Sequence, residues 1–276
     1  MSNEPGKINN HREREKGVLV YPVYSRRSGG VSVGINLFPD RKVCSFNCPY
    51  CEVFPFGSAQ SFSLPLLEEA LVEALAEART QVLAVRDICF SGNGEPTMSP
   101  HFSAVLEAAF RIRDREVPNT QLVLITCGSG LLDKGIFDLL RRAAERGLRI
   151  WLKLDAGTPH WYAAINCSGS SVPFGPLTEK IREFVKCAPV ILQTMICAVN
   201  GLAPPPDEAR AWETLVTELA SSAAGLGEVQ IYGKARPAPE DPLATSLPAA
   251  FLEARAASLR TALASAGSEI LVKVYP

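Results

Sequence analysis

The sequence has little histidine, little net charge and no long apolar run. Its 276 residues include three histidines, and the formal net charge at pH 7 is −1. A dedicated nucleic-acid surface usually carries a basic excess, which this chain does not have. Apolar segments such as residues 190–199 contain polar side chains and are much shorter than the roughly 20 residues that cross a bilayer. The composition therefore predicts neither an RNA-binding nor a membrane protein.

The amino-terminal residues also lack an apolar run. Residues 1–16 mix Lys, Arg, Glu and Asn without periodicity, which predicts a mobile charged arm and no signal peptide. We expect a single domain over residues 17–276, for which the 47% hydrophobic content supplies an ample core. We also expect a cytoplasmic location, where reducing conditions favour metal-binding or catalytic cysteines over disulfides.

Three of the eight cysteines lie close together, at Cys44, Cys48 and Cys51. The spacing CxxxCxxC places three thiolates within reach of one metal centre. Zinc would need a fourth ligand, and no second CxxC or nearby histidine supplies it, because His101 is the next histidine along the chain. A [4Fe-4S] cluster usually takes one thiolate per iron, so three cysteines leave one iron open. The run therefore predicts a [4Fe-4S] cluster with a position for another ligand.

Strand-like and helical segments alternate along the chain, beginning with one strand before the cysteines. Strands are predicted at 31–37, 87–91, 121–126, 149–155, 190–197, 228–232 and 269–275, and helices at 63–81, 99–113, 133–146, 177–186, 207–221 and 249–265. This alternation predicts the α/β class, with a parallel sheet covered by helices and six βα units before the last strand. Periodicity leaves open whether the sheet is doubly wound or a partial barrel. Either arrangement places functional groups beyond the carboxyl ends of the strands.

Unusual residues follow the strand predicted at 87–91. The segment 92–97 reads Gly-Asn-Gly-Glu-Pro-Thr, and its glycines allow a ligand to approach the backbone. Two strands later, Lys153 and Asp155 project to the same side of their strand. Charged side chains are rarely buried without partners, so a ligand contact and a structural ion pair are the alternatives for these two residues.

Polar residues on or just past the late strands are candidate substrate-binding residues, namely Gln193, Gln230, Tyr232 and Arg236. A connection of about twenty residues follows Asp155 and includes the segment 163–168. Long connections within a compact fold are often functional, so we expect this one to cover the site.

The cysteine run resembles that of radical S-adenosylmethionine (SAM) enzymes, which have CxxxCxxC with an aromatic residue, here Tyr50, before the last cysteine. The segment 92–96 resembles their Gly-Gly-Glu-type motif. The resemblance is closest to the group that contains wyosine-type tRNA-modifying synthases and small uncharacterised bacterial relatives. It implies a partial (βα)6 barrel with mostly parallel strands. The implied cofactors are the [4Fe-4S] cluster and SAM, whose amino and carboxylate groups would bind the open iron.

The same resemblance implies an activity, in which reductive cleavage of SAM yields a 5'-deoxyadenosyl radical that takes hydrogen from a substrate. Cys44, Cys48 and Cys51 would hold the cluster. The implied SAM-binding residues are Tyr50, Gly92, Asn93, Gly94, Glu95, Thr126, Lys153 and Asp155. An electron donor such as flavodoxin or ferredoxin is the implied partner.

The chain also departs from these enzymes. Wyosine-type enzymes carry further cysteines before the SAM-binding run, and residues 1–43 contain none. This departure argues against assigning their reaction to the chain. Because the net charge is only −1, we expect a small-molecule or peptide substrate rather than tRNA. A tRNA-modifying enzyme and a non-enzymatic iron-sulfur electron-transfer protein are the alternatives. Cys127, Cys167 and Cys197 are expected either to fill the core or to assemble an auxiliary cluster.

Overall fold

The computed structural model describes residues 18–53, 62–222, 225–238 and 242–276, so the predicted arm over residues 1–16 lies outside the described residues. The chain divides into two compact units. The first takes its described residues from Met1–Cys44 and Val53–Ile125, and the second from Ser45–Glu52 and Thr126–Pro276. The predicted single domain over residues 17–276 stays a prediction.

The first unit contains two strands, then alternates helix and strand. Its elements are β1 (Val20–Ser25), β2 (Gly30–Ile35), α1 (Leu64–Thr80), β3 (Val85–Phe90), α2 (Phe102–Glu116) and β4 (Gln121–Thr126), which ends at the boundary with the second unit. β1 pairs antiparallel with β2, β2 pairs parallel with β3, and β3 pairs parallel with β4. β1 is not among the strands predicted from the sequence.

Helix α1 illustrates how the sequence specifies this unit. The Ser63 side chain accepts a hydrogen bond from the Leu66 N–H, as expected of an N-cap residue. Leu67, Leu71 and Leu75 recur at helical spacing and are fully buried.

The second unit contains the remaining elements. They are α3 (Lys134–Glu145), β5 (Leu148–Lys153), α4 (Pro159–Ile165), α5 (Phe174–Val185), β6 (Val190–Ile196), β7 (Ala198–Val199), α6 (Pro206–Ala220), β8 (Leu226–Gly233), β9 (Ala244–Thr245), α7 (Ala249–Ser265) and β10 (Leu271–Tyr275). β5, β6, β8 and β10 pair in that order, and every pairing is parallel. β7 and β9 form a separate antiparallel pair. β6 is buried along its whole length, as expected for a central parallel strand.

The predicted α/β class with mostly parallel strands is confirmed, and β2, β3, β4, β5, β6 and β8 begin the six expected βα units before β10. The connection after Asp155 is not a continuous loop, because it contains α4. Thr158 caps this helix by accepting a hydrogen bond from the Trp161 N–H, and Pro159 occupies the first turn. The Thr-Pro pair is a helix-start signal that the sequence analysis missed. No helix in the described part of the chain is long and apolar enough to span a membrane.

Candidate functional site

In the first unit, the glycine-rich segment after β3 pairs with the backbone just before Cys44. The Val43 N–H donates to the Asn93 carbonyl at 3.1 Å, and the Glu95 N–H donates to the Val43 carbonyl at 2.8 Å. These bonds form an isolated parallel bridge between Val43 and Gly94. Segment 92–95 therefore fixes the position at which the chain enters the cysteine run.

The side chains of this segment bind other parts of the first unit. Asn93 Nδ2 donates to the Phe38 carbonyl at 3.0 Å. Glu95 is buried, and its Oε1 accepts from the Thr97 N–H at 3.2 Å and from Thr97 Oγ1 at 2.6 Å. At Gly92, where φ is +143°, a Cβ would lie 2.6 Å from Asn36 Oδ1. These contacts give the segment a structural role, and its predicted contacts with SAM stay predictions.

In the second unit, Asn166 binds the loop that carries Cys48. The Asn47 N–H donates to the Asn166 carbonyl at 3.1 Å, and Asn166 Nδ2 lies 3.6 Å from Cys48 Sγ, toward which it donates. The Cys51 N–H donates to the Cys48 carbonyl at 3.0 Å, which closes the turn between these two cysteines. Cys48 is buried and Cys51 is partly exposed.

Asp155 connects this loop to β6. Its Oδ1 accepts from the Met195 N–H at 2.8 Å, and its Oδ2 accepts from Asn166 Nδ2 at 3.0 Å and from the Tyr50 hydroxyl. Asp155 is 5% exposed. One buried side chain thus orients both Tyr50, which lies between Cys48 and Cys51, and Asn166.

Burial is the main electrostatic influence on this network. Burial, followed by the neighbouring Asp155 charge, raises the pKa of Cys48 and raises the pKa of the Tyr50 hydroxyl well above its usual value. A thiolate at Cys48 is therefore costly unless a cation compensates its charge. A bound metal provides that compensation, because cysteine ligands bind metals as thiolates.

Lys153 lies beside two tyrosines. Its Nζ is 4.3 Å from the centroid of the Tyr232 ring and 5.5 Å from that of Tyr50. Both distances are within the range of a cation–π interaction. The structure therefore brings predicted SAM-binding residues (Tyr50, Lys153) and a predicted substrate residue (Tyr232) together in the second unit.

Two of the predicted substrate residues bind each other. Gln193 Nε2 donates to Gln230 Oε1 at 2.7 Å, and Gln230 Nε2 donates to Glu228 Oε1 at 2.7 Å. Glu228 Oε2 in turn pairs with Lys273 Nζ at 2.7 Å. Because Lys153, Gln193, Gln230 and Lys273 are register partners across β5, β6, β8 and β10, they form one polar row.

Lys273 in this row, and Glu228 bonded to it, are not among the residues predicted from the sequence. The alternation of Glu228, Gln230 and Tyr232 along β8 was the signal for Glu228, since side chains two apart share a face. The fourth predicted substrate residue, Arg236, pairs through Nε with Glu52 Oε2 at 3.1 Å, next to Cys51 in the sequence.

The remaining predicted residues lie in different surroundings. Thr126 Oγ1 accepts from the Gly128 N–H at 3.0 Å, so the Thr126 side chain stabilises the turn after β4. Cys127 Sγ lies 3.8 Å from Ser45 Oγ, whereas Cys167 is exposed and Cys197 is buried. In the parts of the chain that the structure describes, no three His, Cys, Asp or Glu side chains are grouped so that they could hold a metal ion.

Solved structures with the same fold place the protein in a structural class. A radical SAM methyltransferase from Sphaerobacter thermophilus superimposes with a TM-score of 0.65, covering 92% of this chain and 68% of that one at 15% identity. SuiB of Streptococcus suis, bound to its precursor peptide SuiA, gives a TM-score of 0.64, covering 86% of this chain and 47% of that one at 10% identity. TYW1 with a lysine-pyruvate adduct bound gives 0.54, covering 83% of this chain and 73% of that one at 13% identity. The chain has the fold of radical SAM enzymes, and the predicted partial (βα)6 barrel is confirmed.

Sequence similarity is more limited. A UPF0026 protein of Helicobacter pylori is 33% identical over 97 residues, a match that covers 34% of this chain. The match covers 31% of that protein, so less than a third of the relative's length is represented. No family model matches the sequence.

Proposed function

We propose that this protein is a radical SAM enzyme, in which Cys44, Cys48 and Cys51 hold a [4Fe-4S] cluster. The observation that carries the proposal is the pairing of segment 92–95 with Val43, because the second SAM motif is built directly onto the residue before the first cysteine. The chemistry of the donor set fits, since three thiols lie within eight residues of the sequence and a buried amide donates toward Cys48 Sγ. Because these three side chains are not grouped around one point among the described residues, holding the cluster requires them to converge.

When bound, the cluster supplies the electron that cleaves SAM to methionine and a 5'-deoxyadenosyl radical. The chain's own residues position the groups around that reaction. Asp155 fixes the Tyr50 hydroxyl, and Lys153 holds its ammonium group against the Tyr50 and Tyr232 rings. Gly92, Asn93, Gly94 and Glu95 are the SAM-binding segment of this proposal, together with Tyr50, Thr126, Lys153 and Asp155.

The substrate of this proposal is a small molecule or peptide, and the residues that contact it are Gln193, Gln230, Tyr232 and Arg236. The peptide-bound SuiB, which shares the fold, supports this substrate class. The net charge of −1 also supports it over tRNA. The protein acts in the cytoplasm, and its electron donor is a flavodoxin or ferredoxin.

Anaerobic reconstitution tests the proposal. The reduced protein is mixed with SAM, and 5'-deoxyadenosine and methionine are measured by mass spectrometry. Both products should form with the wild type and be lost in Cys48→Ala. Cys187→Ala is the matched control, because Cys187 is exposed just after the end of α5, outside the cysteine run, and this variant should retain both products.

One outcome would contradict the proposed radical SAM activity, and another would contradict only the proposed substrate class. If SAM does not change the EPR signal of the reduced cluster, and if no 5'-deoxyadenosine or methionine forms with any candidate substrate, the protein is better explained as an electron-transfer protein. Salt-dependent tRNA binding, accompanied by SAM cleavage that requires tRNA, would support the tRNA-modifying alternative.

A further inference from the structure

Asn166 contacts the cysteine loop through both its backbone and its side chain. Its carbonyl accepts from the Asn47 N–H at 3.1 Å, and its Nδ2 lies 3.6 Å from Cys48 Sγ and 3.0 Å from Asp155 Oδ2. The residue is 3% exposed. Neither the SAM motifs nor the predicted substrate residues include it.

Chemistry fixes the orientation of this amide. A carboxylate accepts hydrogen bonds and does not donate them, so the NH2 group of Asn166 must face Asp155 Oδ2. The same NH2 group has two hydrogens, and the second is directed at Cys48 Sγ. The Met195 N–H holds the other Asp155 oxygen at 2.8 Å, which keeps the carboxylate from rotating away. The amide therefore presents a fixed donor to the sulfur.

We propose that Asn166 is a positioning residue whose N–H···S hydrogen bond to Cys48 raises the reduction potential of the cluster. This inference rests on the proposed function, since it requires a cluster at Cys48. The cluster gains one electron on reduction, and no bond in the protein breaks. A hydrogen bond withdraws electron density from the ligand sulfur and so stabilises the more negative, reduced cluster. An external donor then reduces the cluster more easily.

Asn166→Leu tests the inference, because leucine is similar in size and has no donor. The reduction potential of the reconstituted cluster is measured by EPR-monitored titration without SAM. At a fixed potential, the ratio of reduced to oxidised cluster should fall about tenfold, which corresponds to about 59 mV for a one-electron couple. Ser168→Ala is the matched control. It removes the bond from Ser168 Oγ to the Val172 carbonyl in the same segment, and it should leave the potential unchanged.

The outcomes separate the two proposals. A wild type that binds no [4Fe-4S] cluster overturns the proposed function. A wild type that binds the cluster, with an Asn166→Leu potential equal to the wild-type value, overturns only the role of Asn166. If Asn166→Leu does not bind iron, Asn166→Ala and Asn166→Ser are titrated in its place. Loss of iron from all three variants with a native circular dichroism spectrum would overturn the inference, because Asn166 would then be required for cluster binding rather than for its potential.

Discussion

Gly94 lies so close to Val43 that a Cβ atom on it would stand 1.8 Å from the Val43 carbonyl oxygen. Real Cβ atoms do not approach a backbone oxygen at this distance, so only glycine is compatible with the bridge that precedes Cys44. The glycine of this motif is therefore explained by backbone packing within the first unit, whether or not a ligand is bound.

Gly94→Ala should displace Val43 from segment 92–95. We expect a loss of roughly 1–3 kcal/mol in the free energy of unfolding, as is typical of steric overpacking, and a lower iron content after reconstitution. Urea denaturation and iron analysis measure the two effects. Gly175→Ala is the control, because nothing lies within 4 Å of a Cβ at that helical position. Equal stability of the two variants would contradict the packing argument.

Asp155→Asn should destabilise the protein more than Tyr50→Phe. The Asp155 carboxylate accepts from Met195, Asn166 and Tyr50, and an asparagine would turn its own NH2 group toward at least one of these donors. The expected loss is about 1–3 kcal/mol, measured by urea denaturation of the metal-free protein. Tyr50→Phe removes a single donor and leaves the other two bonds in place. Asp138, a partly exposed residue paired with the exposed Lys134, provides a charge-matched control, and Asp138→Asn should change little.

Glu208 should make stability decline as the pH rises above its ordinary pKa of 4.5. Burial raises the pKa of this carboxyl, which accepts from the Gly157 N–H and the Thr158 hydroxyl. Between the unfolded and the raised folded pKa, the native state holds more protons than the unfolded state, so the free energy of unfolding falls with increasing pH. Urea denaturation across this window should show a steeper decline in the wild type than in Glu208→Gln. Parallel profiles would show that Glu208 does not cause the decline.

Gln193 and Gln230 should be energetically coupled. Replacing either residue with leucine leaves the buried amide of the other without this hydrogen bond, and the free energy of unfolding should fall by about 1–3 kcal/mol. The double leucine variant removes both amides and should cost less than the sum of the two single variants. A double-mutant cycle in urea measures this coupling, and additive effects would contradict it.

Thiol labelling should distinguish the cysteines of the metal-free protein. Cys167 and Cys187 are exposed and should react with iodoacetamide at pH 8. Cys89 and Cys197 are buried, and burial raises the pKa of Cys197 to about 12, so both should stay unlabelled. Mass spectrometry identifies the modified positions, and labelling in guanidinium chloride should reach all eight cysteines. Rapid labelling of Cys197 in the native protein would contradict its burial.

Several elements were predictable because their signals are local. Ser63 and the leucine spacing of α1 identify that helix, and the alternation of segments gives the parallel strands of both units. β1 was missed because its residues Val20–Ser25 alternate weakly and include a proline. It becomes a strand through antiparallel pairing with β2, which is a tertiary contact.

Asn166 shows why the role of a side chain can escape prediction. It lies in segment 163–168, which is expected to cover the site, but no local signal indicates its contact with Cys48, which lies 118 positions earlier in the chain. Asp155 is a predicted site residue, for which the sequence leaves two roles open, a ligand contact and an ion pair. The structure instead gives it the Met195 N–H, the Asn166 amide and the Tyr50 hydroxyl as partners.

The sequence by itself determined the cysteine spacing, the glycine-rich motif and the α/β alternation, because each depends on residues that are close along the chain. Tertiary structure alone decided that Gly94 pairs with Val43 in a parallel β-bridge and that Asp155 orients both Tyr50 and Asn166. It also decided that the polar row runs from Lys153 to Lys273. These relationships depend on strand register and on side-chain direction, which a one-residue shift in pairing would change.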